Sequence, residues 1–262
     1  MENPKSTVEE ERHEPSLLER SKPAVLCEVF KVMISNILEK GNLKFTLKAL
    51  AESQKMGLNY LLRFNITPTE AVRYFGKCIF LAYSYVGFNV NGTEEEAKGA
   101  GKAAVLTTLY DVASDWRDNS DPKWREILKS IFEVEFSEEL REIAMRLFDR
   151  DVNGNLENDG LERGAVTLKV ILELMGITKE YEKKADLQKV GTLLQIVDDV
   201  LDYEEDIACG DQNCLVSDQK EEHLQTLIEG FSDEELERLF KPNTVLVTVI
   251  KSAREKARQM LQ

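Results

Sequence analysis

The residues of this chain best suited to chemistry are the carboxylates of residues 197–206, VDDVLDYEED. On a helix, Leu193, Leu194, Val197, Val200 and Leu201 fall on one apolar face. With Val197 as origin, a step of about 100° per residue puts Asp198 at about 100°, Asp202 at about 140° and Asp206 at about 180°. Gln195, Glu205 and the side-chain-free Gly191 share that strip. Like charges one turn apart cost a helix a few tenths of a kcal/mol per pair, a cost that a hard divalent cation removes. Carboxylates at this spacing suit magnesium, which keeps several waters and is completed by substrate phosphates. The alternative is a solvated face of a surface helix, the usual fate of an acidic run.

A second acidic pair, Asp111 and Asp115, stands one turn apart near the end of a helix that starts at Thr93. Val105, Leu109, Val112 and Trp116 make the core stripe of that helix, and the aspartates lie roughly opposite it. A solvated pair would lie there too, but Gly101, Ala104 and Thr108 leave room for that side to line a cavity. A third helix contains Arg163, Gly164 and Ala165. Its small residues allow close approach of a backbone or a ligand. Arg163 is then either a phosphate contact or a surface arginine.

Residues 149–156, DRDVNGNL, reproduce the opening of a calcium loop, with oxygen ligands at alternate positions and glycine at the sixth. The twelfth position is Gly160 rather than glutamate. Starting two residues later recovers Glu162 but puts Leu156 where glycine belongs. A polar turn between helices explains the same residues.

The acidic helix resembles a known family. Residues 194–202, LQIVDDVLD, look like the second aspartate-rich motif of trans-isoprenyl diphosphate synthases, and residues 202–206, DYEED, look like the second motif of squalene and phytoene synthases. Both groups belong to the class I isoprenoid (terpene) synthase superfamily. The overlap implies two metal registers, Asp198 with Asp202 or Asp202 with Asp206. Asp111 and Asp115 resemble the DxxxD first motif of the squalene and phytoene group.

The resemblance implies an all-α fold, Mg2+ as cofactor, and Asp111, Asp115, Asp198, Asp202 and Asp206 as metal ligands. The first four of these would be the catalytic set. Arg163, Arg150 and Gln195 would contact the diphosphate or the substrate. Arg150, Asn153 and Gly154 resemble a diphosphate-sensing helix break, with Asn where Asp is usual.

The sequence also departs from the family. The interval from Asp115 to Asp198 is short, no Arg-Arg-Gly follows the first motif, neither His13 nor His223 is placed to bind substrate, and the Asn-Ser-Glu triad of many cyclases is missing. The implied activity is therefore terpene synthesis from an allylic prenyl diphosphate, with coupling of prenyl diphosphates as the alternative. A non-catalytic helical protein that binds calcium or a partner remains a further alternative.

The elements that must position these residues are helical. Thr93-Glu-Glu-Glu96 and Ser232-Asp-Glu-Glu235 are capping boxes, and Thr67-Pro-Thr-Glu70, Asp121-Pro122 and Ser137-Glu-Glu are further helix starts. Leu26, Phe30, Met33, Ile34 and Ile37, and later Leu128, Ile131 and Phe132, recur at helical spacing. Strand signals do not recur. The expectation is a single-domain antiparallel bundle of about ten helices around a central cavity, over residues 21–262, with residues 1–20 as a flexible acidic tail. Phe80, Tyr83, Tyr85, Phe88, Tyr110 and Trp116 are candidate cavity walls, although core packing is the better default for each.

Asp and Glu total 48 against 34 Lys and Arg, a net charge of −14, which argues against nucleic acid as a partner. The longest apolar run, residues 78–88, is too short to cross a bilayer. A cytoplasmic location is expected, and a homodimer is compatible with these features. Of Cys27, Cys78, Cys209 and Cys214 only the last two are close, in CGDQNC, and they read as reduced loop thiols or as a regulatory disulfide.

Overall fold

The computed structural model describes residues 43–63, 93–115, 137–152, 160–209, 213–240 and 245–262, with a few isolated helical residues near positions 78–85 and 126–133. Among the described residues the fold is all-helical, with no strand. The helices are α1 (Leu43–Arg63), α2 (Glu94–Asp115), α3 (Glu138–Val152), α4 (Gly160–Leu174), α5 (Thr178–Glu182) and α6 (Leu187–Cys209). A 3-10 turn (Cys214–Val216) leads to α7 (Lys220–Glu229), α8 (Asp233–Phe240) and α9 (Val245–Met260). None of the described helices is long and apolar enough to cross a membrane. The apolar repeat at residues 26–37, the starts at Thr67 and Asp121, the tail and the calcium-like turn at 153–159 lie outside the described residues.

Helix starts follow the local signals. At α2 the Glu96 amide donates to Thr93 Oγ1 (3.3 Å) while the Thr93 amide donates to the Glu96 carboxylate. At α8 the Glu235 amide donates to Ser232 Oγ (3.1 Å) and the Ser232 amide to Glu235 Oε2 (2.7 Å). Those Ser232 contacts hold the Glu235 carboxyl below its ordinary pKa. Ser137 caps α3 through the Leu140 amide. At the end of α4, Gly176 takes φ 71°, the Ile177 amide donates to the Leu172 carbonyl, and the Gly176 amide to that of Glu173. That Schellman closure reverses the chain into α5 within three residues.

α2 is buried on every side along most of its length. Ala97, Ala100, Ala103, Ala104, Val105, Leu106, Thr108 and Leu109 all lie inside the protein, as expected for a helix apolar around its whole circumference. Its small residues let two neighbours in. A Cβ on Gly101 would lie 2.4 Å from the Ala49 carbonyl oxygen of α1, and one on Gly99 would lie 2.2 Å from the Leu174 carbonyl oxygen of α4. Of the room expected beside Gly101, Ala104 and Thr108, that at Gly101 is taken by the backbone of α1.

α4 runs between α2 and α6 and packs on both. Its contact with α6 is backbone on backbone. A Cβ on Gly164 would stand 2.2 Å from the Gly191 carbonyl oxygen, and one on Gly191 would stand 2.3 Å from Ala165 Cα. What closely approaches Gly164 and Ala165 is therefore a helix.

α6 in turn packs on α7, α9 and the 3-10 turn. Arg254 of α9, 5 % exposed, closes this end of the molecule. Its Nε donates to the Leu227 carbonyl (3.0 Å), its Nη1 to Asp233 (2.9 Å) and its Nη2 to the Phe231 carbonyl.

Candidate functional site: the acidic face of α6

The middle of α6 is largely enclosed, with Val190, Leu193, Ile196, Val197 and Val200 in the core. Against that background the four aspartates of 198–206 separate into different environments. Asp198 and Asp202 are exposed, one turn apart on the outward strip. Asp199, between Asp198 and the core residue Val200, is only 2 % exposed. Asp206 is half-buried.

Asp199 is held by several donors. Gln195 Nε2 donates to its Oδ1 (2.8 Å), and the Cys214 amide donates to its Oδ2 (2.9 Å). Arg163 of α4 brings Nη2 to 3.7 Å from Oδ1 and donates from Nε to Gln195 Oε1 (3.2 Å). The guanidinium supplies the countercharge that a buried carboxylate needs. Burial foremost, then the Asp199 charge and the thiol hydrogen bond to Asp199, pushes the Cys214 thiol far above its ordinary range. Cys214 is a free thiol; the side chain of Cys209 lies outside the described residues.

Asn213 completes the arrangement. Its Nδ2 donates to the Asp199 carbonyl (2.7 Å) and to Asp206 Oδ2 (2.8 Å), while its Oδ1 accepts from the Leu215 amide (2.9 Å). One of the Asp206 carboxylate oxygens is therefore already engaged.

Tyr85 is bonded to α2 and feels the charge of Asp198 on α6. Its hydroxyl donates to Thr107 Oγ1 of α2 (3.0 Å), and Thr107 passes its own proton to the Ala103 carbonyl. Tyr85 is buried, and its phenol pKa is raised, chiefly by burial and further by the charge of Asp198. Asp111 follows Thr107, the partner of Tyr85, by one helical turn.

No family model, curated protein or solved structure matches this chain. Its chemistry rests on its own residues.

Asp111 and Asp115 occupy the last turns of α2, and Arg150 stands near the end of α3, but their side chains lie outside the described residues. The same holds for Phe80, Tyr83, Phe88 and Trp116. Tyr110 packs edge-on against Phe148, with ring centroids 5.5 Å apart. Arg163 and Gln195, expected to contact a diphosphate, belong to the Asp199 network, with Gln195 inside it and Arg163 at its partly exposed rim. Among the described residues no three His, Cys, Asp or Glu side chains are grouped to hold a metal. Asp198 and Asp202 together offer a pair of hard carboxylates. That donor set fits an ion completed by water and phosphate, not an all-protein cage.

Sequence reasoning missed Asp199, Asn213 and Cys214. Helical spacing carried no signal for them. At about 200° from Val197 Asp199 falls beside Asp206, away from the apolar face, so the wheel alone does not mark it as buried.

Proposed function

We propose that this protein is a magnesium-dependent class I terpene synthase that ionises an allylic prenyl diphosphate and cyclises or rearranges the cation. One observation carries the reading. Asp198 and Asp202 lie one turn apart on the exposed strip of a helix whose opposite side is in the core, and the charge of Asp198 acts on Tyr85, which is bonded to α2 one turn before Asp111.

In this reading Asp198 and Asp202 hold the ion, joined by Asp111 and Asp115. Bound magnesium would neutralise the diphosphate charge and so make it a leaving group. Asp202 is common to both metal registers, and Asp206 gives one carboxylate oxygen to Asn213. Tyr85, kept protonated by its surroundings, can present its ring and hydroxyl beside the site without adding charge. Aromatic faces stabilise a cation, and enclosure excludes the water that would quench it.

The test is to incubate the protein with magnesium and allylic prenyl diphosphates of increasing chain length, and to measure released diphosphate and hydrocarbon products. Release with cyclic or rearranged products is expected. Release with coupled prenyl products would replace cyclisation by the coupling reaction. No release, with thermal stabilisation by calcium alone and none by magnesium with inorganic diphosphate, would overturn the enzyme reading in favour of a calcium-responsive helical protein.

A further inference from the structure

The Asp199 network places two adjacent aspartates in opposite roles. Asp198 is exposed while Asp199 is buried, and the buried carboxylate is bonded on both oxygens to groups from α6 and the 213–216 turn, with Arg163 of α4 beside it. α6 cannot turn about its axis without taking Asp199 away from the Cys214 amide and from Arg163, which would leave a buried charge with Gln195 as its one remaining named partner. Rotation of α6 is what decides where Asp198 and Asp202 point, since both are rigidly phased to Asp199 along the helix.

Asn213 adds a second constraint. Its single amide nitrogen bonds the Asp199 carbonyl at one end and the Asp206 carboxylate at the other. Those two groups are seven residues, or about two helical turns, apart, and Asp202 lies between them. The turn after α6 thus straps the very segment that bears the outward carboxylates.

We propose that Asp199, together with Asn213, is a positioning residue that locks α6 and its following turn so that Asp198 and Asp202 are held ready for a divalent cation with diphosphate. The inference rests on the reading of Asp198 and Asp202 as the metal-binding pair. Asp199 itself takes no metal, because its oxygens are already spent on protein donors.

The experiment compares the full-length parent with Asp199→Asn, Asn213→Ala and Asp202→Asn, titrating magnesium at fixed inorganic diphosphate and following thermal stability. Labelling of Cys214 by a maleimide, read at its own peptide, reports in parallel whether the turn has come loose. In Asp199→Asn and Asn213→Ala the half-saturating magnesium concentration rises about tenfold or more, the size of effect seen when groups that orient a metal ligand are removed, and Cys214 labels faster. In Asp202→Asn the magnesium response is lost while Cys214 labels at the parent rate.

If the parent responds and both Asp199→Asn and Asn213→Ala keep its half-saturation point, the positioning role is overturned and the network serves stability alone. If Asp199→Asn loses the response as completely as Asp202→Asn with Cys214 still protected, Asp199 is a ligand and the inference is equally overturned. A parent that shows no response to magnesium with diphosphate overturns the underlying site, a result distinct from both. Should Asp199→Asn fail to fold, Asn213→Ala carries the same test with the buried charge still paired.

Discussion

Asp198 and Asp199 are consecutive in sequence, yet the first is exposed and the second is 2 % exposed, bonded to Gln195 and to the amide of Cys214. An exposed carboxylate can be neutralised with little structural cost, typically within about 0.5 kcal/mol. Asp198→Asn and Asp202→Asn are therefore expected to keep the parent's stability without ligand. Each should lose the stabilisation by magnesium with inorganic diphosphate, which at about a hundred times Kd amounts to about 2.7 kcal/mol in the parent. Asp206→Asn should weaken that response less than Asp202→Asn does. Melting curves with and without both ligands check the three variants.

The crossing of α4 on α6 leaves no space for a side chain. A methyl at position 191 would meet Ala165 Cα at 2.3 Å, an atom of the backbone that cannot swing aside. Gly191→Ala is expected to destabilise the protein by about 3 kcal/mol, at the upper end of overpacking costs, as measured by urea unfolding. Gly176→Ala, with nothing within 4 Å of its added methyl, should cost less, and that cost comes from its φ of 71°.

Alkaline pH should unfold the protein by a predictable route. Burial raises the pKa values of Tyr85 and Tyr181 above the ordinary phenol value of 10.0. In the unfolded chain these phenols lose their protons near the ordinary value, so the unfolded state then binds fewer protons than the folded one. Stability is therefore full below pH 10 and falls as pH climbs from there toward the raised folded values. Tyr85→Phe loses the Thr107 hydrogen bond, at a cost of about 1 kcal/mol near neutrality, but flattens the alkaline decline. Melting temperature against pH, with phenolate absorbance recorded alongside, gives both quantities.

Arg254 satisfies the Leu227 and Phe231 carbonyls from within the protein. Arg254→Leu fills much of the space but leaves those oxygens without their donor, and a buried polar group so orphaned costs about 1–3 kcal/mol. A loss of about 3 kcal/mol in chemical denaturation is expected, with no change in the magnesium midpoint because Arg254 is on α9 and its partners lie from α7 to the start of α8, whereas the site is on α6.

The parts of this structure that were legible in sequence are those decided by neighbours along the chain. Thr93 with Glu96, and Ser232 with Glu235, form capping boxes because four consecutive residues suffice to build one. The all-helical class followed from the same kind of signal. The division of the aspartates did not, since Asp199 finds Arg163 thirty-six residues earlier and Cys214 fifteen residues later. Helical spacing put Asp206 on one strip with Asp198 and Asp202, but the partner that draws it aside, Asn213, comes from a turn whose path no local pattern specifies. Gly164 was recognised as a place of close approach. That the approaching body is the backbone at Gly191 depends on how α6 crosses α4, a tertiary fact.

The glycine crossing also makes α6 a lever. With peptide against peptide at Gly191, no rotamer can absorb a displacement there, so any tilt between the two helices must pivot at that point. Asp202 lies eleven residues further along, an arm of about 16 Å. A tilt of about 5° would carry its carboxylate through about 1.4 Å on such an arm, while leaving the fulcrum in place.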